Sequence, residues 1–408
     1  MISVLVPSNC PDYRVHLALV LKSGNLASFD PQVIAFLDTF SKTVLLDEVT
    51  RQLPEMAVVA HWARKAHTLQ LQAAFDEMRG DRLWVARGVA LHFAPANVDS
   101  IFLYSWFLSM LAGNGNIVRL SQNRKEQVEV LLRALNLLLQ QERFKVIQER
   151  SLILSYEHNE EVTQTLSESS HLRVLWGGDE SVRRLRRVPM NPLASEVVFP
   201  DRFSLAALNA AKVLALNQDQ LEELAGRFCN DAYWFDQMAC SSPRLAVWTG
   251  DPASCCSAQD VFWAEVGQEL ANRGLKYPEV IGVNKLVSAY AAAGKGFADA
   301  IRPGITGPIS RIHLADHANA EFRQIECGGG LFFETEIPDL SQLASLLRDR
   351  DQTLSYFGFE RGDLLSLVHC LPTRAIDRIV PIGAALNFSA VWDGYNLLQA
   401  FTREIDLQ

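Results

Sequence analysis

The chain has no CxxC pair, and nowhere do histidines and cysteines cluster at zinc-ligand spacing. Its seven cysteines are an odd number, scattered irregularly over 408 residues. That excludes the disulfide framework of a small secreted domain and points to free thiols in a reducing compartment. Positive charge is also in short supply: 38 lysines and arginines face 47 aspartates and glutamates, a net charge of −9. Such a balance favours solubility and argues against a general nucleic-acid binder. The opening "MISVLVPSNCPDYR" has no basic stretch and no cleavage site, so it does not read as a signal peptide. The longest strongly apolar run, Ser100 to Gly113, falls short of the about 20 residues a membrane span needs. The expectation is a cytoplasmic protein with no metal site and no transmembrane segment. Internal repeats and low-complexity segments are missing too.

What is present is the composition of a soluble globular protein, 49% hydrophobic and 21% charged. At roughly 150 residues per domain the length allows two or three domains. The first sixty residues carry few clear signals, beyond helices expected over 31–40 and 54–78. A regular alternation then begins. "LWVARGVALHFAP" reads as strand and 101–111 as helix; "NIVRLS" is strand and 125–144 a long amphipathic helix. Strands at "SLILSY", "LRVLWGG" and "SEVVFP" follow, with short helices at 160–166 and 180–187 between them. Short apolar strands alternating with helices mean βαβ units and a mainly parallel sheet. After a helix at 219–228 a second α/β block runs through "RLAVW", a helix at 258–272, "RIHLAD", "GLFFETEI", a helix at 340–349 and "TLSYFG". The tail, "RIVPIGAALNFSAVWDGYNLLQAFTREIDL", carries aromatics that look exposed.

A parallel sheet invites a search for the glycines that bind dinucleotides. "GNGNIVRL", Gly113 to Leu120, precedes a strand instead of opening a helix, so it does not satisfy the G-x-G-x-x-G pattern and reads as a tight helix–strand turn. "LWGGDESVRRLRR", Leu175 to Arg187, closes a strand with Gly177 and Gly178 and starts a helix near Asp179. Free N–H groups at a helix start bind phosphate. The four arginines behind the turn are either further phosphate contacts or a solvated helix face.

One cysteine stands out from the other six. In "NDAYWFDQMACSSPR", Asn230 to Arg244, Cys240 sits in a polar turn behind an aromatic run. Gln237, Ser241 and Ser242 can supply hydrogen bonds there, and backbone N–H groups after the cysteine can form part of an oxyanion hole. A thiolate in that setting accepts an acyl group well. The competing reading is a small buried hydrophobe, which is kept for Cys10, Cys229, Cys255, Cys256, Cys327 and Cys370.

"WFDQMACSSPR" closely resembles the nucleophile motif of the LuxC-type acyl reductases, a divergent branch of the aldehyde dehydrogenase superfamily. "APANV" (Ala94 to Val98), "LAGNGNIVRLS", "LWGGDES" and the tail extend the resemblance over most of the chain. The fold it implies is α/β and aldehyde dehydrogenase-like. A Rossmann-like nucleotide domain over 1–228 precedes an α/β catalytic domain over 229–370, with the active site between them. Residues 371–408 then form a segment that packs back or lies at an oligomer interface.

The resemblance also implies roles. Cys240 takes the acyl group as a thioester, and Asn97 with the Cys240 N–H stabilises the oxyanion; without the resemblance Asn97 reads as a turn or helix cap before Ile101. Arg119 stands where the superfamily has lysine near the adenosine ribose. Ser121 and Gln122 follow it, and Gly177 and Gly178 line the cofactor. Arg119 and the neutral Gln122, in place of a carboxylate, favour NADPH. The Glu-Leu-Gly-Gly segment that activates water in hydrolytic aldehyde dehydrogenases has no counterpart in "RVPMNPLASEVVFP". Its glutamate position falls near Pro189, although Glu196 lies nearby. An enzyme without that base suits reduction of an acyl thioester to an aldehyde. The expected partners are an acyl-CoA donor or an acyl-protein synthetase or carrier, with the enzyme a homo-oligomer. Oxidation of an aldehyde with NAD(P)+, or a non-catalytic paralogue acting as a partner subunit, are the alternatives.

Overall fold

The computed structural model describes residues 2–95, 101–124, 126–316, 319–325 and 328–407. Asn97 and Cys327, both singled out above, and Lys125, the expected start of a helix, lie outside the described residues. Two compact units emerge, Met1–Asp201 with Phe388–Gln408 and Arg202–Asn387. The sequence reading placed its boundaries after 228 and 370. The difference arises because Phe203–Asn209 and the helix Gln218–Tyr233 join the second sheet's layers, and because the chain ends back in the first unit.

The first unit holds β1 (Ser3–Val6), β2 (Leu83–Ala86), β3 (Val89–Phe93), β4 (Gly115–Leu120), β5 (Ser151–Ser155), β6 (Leu172–Trp176) and β7 (Ser195–Phe199). Six of them form a sheet in the order β1-β5-β4-β3-β6-β7, parallel but for the antiparallel edge β1. β3, β5 and β6 are buried along their whole length. Near-continuous apolar runs are what a parallel sheet covered on both faces requires. The helix Ile101–Leu111, between β3 and β4, is buried at every position but its first, which is why its sequence is apolar all round. Gly113, with φ +91°, makes the turn into β4, and a Cβ there would stand 2.2 Å from the Leu26 carbonyl oxygen. The glycines of "GNGNIVRL" therefore serve the turn, as their position before a strand implied.

Within this unit the expected helix over 54–78 is two, Pro54–Trp62 and Lys65–Arg79. The "LWVARGVALHF" stretch is likewise two strands. β2 leaves the main sheet and pairs antiparallel with Thr402–Ile405 of the tail. Three of the tail's four aromatics are buried, contrary to expectation: Phe388 stacks on Tyr104 at 4.3 Å and on Trp392 at 4.9 Å, and Phe401 is fully buried. Their apolar area is spent covering the first unit's own helices, a contact no local pattern announces.

The second unit is built on β8 (Phe203–Asn209), β9 (Leu245–Thr249), β10 (Ala298–Ile301), β11 (Ser310–Leu314), β12 (Leu331–Ile337), β13 (Asp351–Phe357) and β14 (Arg378–Pro381). They form a sheet in the order β10-β11-β12-β9-β8-β13-β14, again parallel except for the first strand. One core cluster includes Leu205, Val247 and Phe333, and another includes Phe228, Trp248 and Phe262. The helix Gln218–Tyr233 starts at a reciprocal cap, Asn217 with Gln220, and delivers the chain to the cysteine turn. The helix Glu279–Gly294 and the strand β8 carried no signal read from the sequence, and the helix expected over 340–349 is reduced to Leu343–Leu346 after a 3-10 turn.

Candidate active site

After Tyr233 the chain turns sharply, with Asp236 at φ +51° and Gln237 at φ +63°. Left-handed backbone at a non-glycine residue persists only where its surroundings hold it. Here the holding group is the Gln237 side chain, which is fully buried. Its Nε2 donates to the carbonyls of Pro243 and Leu331, both at 2.9 Å, and its Oε1 accepts from the Gly330 N–H at 3.0 Å. The hydrogen bonds that Gln237 can supply thus go to the backbone that shapes the turn. Ser242 is committed in the same way: its buried hydroxyl donates to the Asp231 carbonyl at 2.8 Å. Both residues build the turn because a buried polar group must find its partner within the fold.

Cys240 follows as part of a turn closed by Ser242 N–H to Ala239 O at 3.0 Å. Its carbonyl accepts from the Ser204 hydroxyl at 2.6 Å, and that hydroxyl in turn accepts from the Thr353 N–H at 3.2 Å. Ser204 lies on β8 and Thr353 on β13, so the cysteine is tied to the N-terminal ends of neighbouring strands. It is neither buried nor fully exposed. Cys229 and Cys255 are buried, and burial pushes their thiols up to about 12 and about 11. Those two are the inert small hydrophobes expected; Cys256 and Cys370 are exposed and Cys10 half-buried, contrary to that reading.

Two residues of this region went unread in the sequence. Asp231, at the end of the helix Gln218–Tyr233, is buried and accepts from the N–H groups of Gly383 at 2.7 Å and Ala385 at 2.9 Å. Burial pushes its carboxyl up to about 6. Arg378, on β14, donates to the carbonyls of Ala385 (2.7 Å), Ala384 (3.0 Å) and Asn387 (2.6 Å). Both lie inside the two stretches that look most distinctive, "NDAYWFDQMACSSPR" and "RIVPIGAALNF", so the signal was there, but nothing local linked the stretches.

The residues assigned to the cofactor lie in the first unit. Its sheet runs β3, β4, β5 to one side and then returns to β6 and β7 on the other, so the strand order reverses beside β3. In such sheets ligands bind beyond the carboxyl ends of the strands at that reversal. Gly177 and Gly178 follow the end of β6, and Gly178 caps the helix Asp179–Arg186. Among the described residues, and chain neighbours apart, nothing lies within 4 Å of a Cβ built on Gly178, and the Gly177 Cβ would meet Ser181 at 3.6 Å. The fold itself does not demand their bareness; close approach of a ligand to the backbone would. Ser121 lines a small hollow with Ala94, Pro95 and Leu120 at the ends of β3 and β4. These features fit a dinucleotide.

Arg119, near the end of β4, directs Nη2 to the Tyr156 carbonyl at 3.0 Å and lies over that ring at 5.4 Å. Gln122 is exposed two residues beyond β4. Arg124 pairs with Glu129 at 2.9 Å as the next helix begins. Three of the arginines behind Gly178 have partners within the fold, and Arg184 is also close enough to Arg119 to act on its charge. Arg183 faces Asp179 (3.8 Å), Arg184 faces His158 (3.0 Å) and Arg186 faces Glu196 (2.8 Å). All three sit in the last turn of the helix, and Arg183 reaches back to its first residue. Glu196 is held by Arg173 at 2.5 Å as well as by Arg186. Among the described residues no group of three or more His, Cys, Asp or Glu side chains could hold a metal ion. None of the described helices is long and apolar enough to cross a membrane.

Comparison with known proteins gives a consistent picture. Residues 16–286 match the family described as acyl-CoA reductase (LuxC). No curated protein matches the sequence. Among solved structures, the aldehyde dehydrogenase KauB from Pseudomonas aeruginosa superposes with a TM-score of 0.67 at 12% identity, covering 96% of this chain and 87% of its own. An NAD-dependent aldehyde dehydrogenase from Sinorhizobium meliloti gives 0.68 at 11% identity, over 97% of this chain and 86% of its own. PnpE, solved in complex with nicotinamide adenine dinucleotide, gives 0.66 at 10% identity, over 96% and 88%. At these identities the likeness is one of fold: the expected aldehyde dehydrogenase-like α/β architecture is present.

Proposed function

The chain belongs to the LuxC acyl-CoA reductase family, and on that premise we propose that it reduces an acyl thioester to an aldehyde through a covalent Cys240 intermediate. The observation that carries the reading is the setting of Cys240: a partly exposed thiol on a turn whose backbone is tied to β8 and β13 through Ser204. Such anchoring holds a nucleophile in one orientation, which is what acyl transfer needs.

The Cys240 thiolate attacks the thioester carbonyl of the donor. The carbonyl oxygen becomes an oxyanion stabilised by the Cys240 N–H and by Asn97, in the roles the family resemblance gives them. The donor's thiolate leaves and takes up a proton, so the acyl group is now on Cys240. Held at the ends of β3, β4 and β6, NADPH would supply hydride, the two-electron reductant needed for the acyl group to leave Cys240 as aldehyde and the cysteine to return to its thiolate. Gly177 and Gly178 would leave room for its phosphates, and Arg119, Ser121 and Gln122 would stand on the ribose side. Supporting reduction over hydrolysis is the missing Glu-Leu-Gly-Gly segment; Glu196, near that place in the sequence, is paired with Arg173 and Arg186. The acyl donor is acyl-CoA or an acyl-protein partner, and a homo-oligomer is the working assembly.

The test is incubation of the protein with radiolabelled acyl-CoA, with and without NADPH. Label should accumulate on Cys240 without NADPH and discharge as aldehyde when it is added, and Cys240→Ala should take up none. Label remaining on the Cys240→Ala protein would overturn the assignment of the nucleophile. Acid formed from aldehyde and NAD(P)+, with no aldehyde formed from acyl thioester, would replace the reading with an oxidative one.

A further inference from the structure

Arg378 and Cys240 belong to elements that share one line of hydrogen bonds. Cys240 O accepts from Ser204 Oγ, and Ser204 Oγ accepts from Thr353 N–H. Thr353 is the register partner of Arg378 across β13 and β14. The cysteine backbone and the arginine are therefore both placed at the N-terminal edge of neighbouring strands in the order β8-β13-β14.

The arginine is also immobilised. Its guanidinium is tied to three carbonyls of one short loop, those of Ala384, Ala385 and Asn387. Asp231 binds the N–H groups of Gly383 and Ala385 in the same loop. The Asp231 carbonyl in turn accepts from Ser242, two residues beyond the cysteine. Loop, helix end and cysteine turn thus form one cross-linked unit with a fixed cation in it. A guanidinium bonded to neutral carbonyls stays ionised, and its charge is shared between Asp231 and the cysteine turn.

We propose that Arg378 is a positioning residue for the chemistry, holding Cys240 in its reactive anionic form. The thiol's proton goes to solvent, and the fixed guanidinium offsets the negative sulfur that remains. This inference rests on the reading of Cys240 as the nucleophile. Burial lowers the Arg378 guanidinium from its ordinary value, and Asp231 and then Cys240 oppose that as negative charges. Other charged groups surround the turn. Asp231 on the helix side is matched by Arg378 itself. Asp236 lies in the preceding turn and gives its carbonyl to the Gly329 N–H at 2.8 Å. Arg244, just before β9, lies against the Phe203 ring at 5.8 Å. Thiolates beside arginine or lysine ionise below the ordinary cysteine value of about 8.5.

The test is the pH dependence of alkylation by iodoacetamide, read at the Cys240 peptide by mass spectrometry so that the other six cysteines do not interfere. Neither acyl-CoA nor NADPH is present, so a failure of the acyl-reductase reading leaves the outcome intact. In the wild type the midpoint should lie at least one pH unit below about 8.5. In Arg378→Gln it should rise by one unit or more, so that alkylation at pH 7 slows about tenfold while the rate at pH 10 is unchanged. Arg378→Lys, which keeps the charge, should restore most of the wild-type midpoint. A residue that merely props the loop would change the rate at every pH and leave the midpoint in place, and that result overturns the proposal. Should both variants fail to fold, the wild type still decides: a midpoint at or above about 8.5 overturns it.

Discussion

The side-chain amide oxygen of Gln237 accepts from the backbone N–H of Gly330 at 3.0 Å, joining segments 93 residues apart. The bond fixes the cysteine turn against the start of β12. It explains why the turn tolerates left-handed backbone at Asp236 and Gln237. The glycines 328–330 have a separate cause: a Cβ on them would stand 2.3, 2.4 and 2.1 Å from Asp236 O, Ile281 Cγ2 and Pro308 O.

Gly330→Ala should therefore destabilise the protein. Its φ of +81° suits glycine, and a Cβ there would stand 2.1 Å from the Pro308 carbonyl oxygen and 2.8 Å from the Tyr233 ring. Backbone conformation and clash together predict a loss of about 2 kcal/mol or more in denaturant unfolding. Gly294→Ala, where a Cβ meets nothing within 4 Å, serves as the control and should change stability by less than about 0.5 kcal/mol. Equal effects would show that the Gly330 contact is not sterically demanding.

Asn97→Ala is expected to lower turnover about 10²- to 10³-fold with little change in melting temperature, the cost of losing one oxyanion donor. The readout is kcat for aldehyde formation beside a thermal melt. Normal turnover would make Asn97 a cap before the helix Ile101–Leu111 and nothing more.

Replacing Gln122 by glutamate tests the cofactor preference. A carboxylate two residues beyond β4 would repel a 2′-phosphate but accept from ribose hydroxyls. In Gln122→Glu, kcat/KM with NADPH should fall far more than with NADH. Equal losses, or a wild-type preference for NADH, would remove the argument.

His313 should make stability depend on pH. Its Nδ1 lies 2.7 Å from Asp299 and its Nε2 2.6 Å from Glu336. The hydrogen bond to Glu336, working against burial and helped by Asp299, raises the imidazole to about 9 from 6.5. An imidazole raised in the folded state contributes stability that is full below about 6.5 and lost as pH rises to about 9. Solvent reaches this cluster, Asp299 being half exposed, and screening holds the contribution to about 1 kcal/mol. The stability gap between wild type and His313→Asn, measured in urea, should be larger at pH 6 than at pH 9.5. A gap independent of pH would mean that the histidine is not charged in the folded protein.

The sequence by itself determined the architecture and the nucleophile candidate. Apolar strands such as "SLILS" and "LRVLW" alternate with helices at βαβ spacing, and that local periodicity is enough to dictate parallel sheets covered on both faces. Family likeness was legible in one short motif around Cys240, because a reactive turn needs particular residues in particular order. Tertiary structure alone decided what the motif's residues do. Gln237 and Ser242 read only as residues able to hydrogen-bond until Pro243, Leu331, Gly330 and Asp231 are seen to take those bonds. The tail's aromatics look exposed until Tyr104 is found beneath Phe388. Arg378 lies 138 positions beyond Cys240 (378 − 240), and only the pairing of β13 with β8 and β14 brings their strands together. Periodicity is a property of neighbours in the chain, whereas the satisfaction of a buried polar group depends on partners that long-range folding supplies.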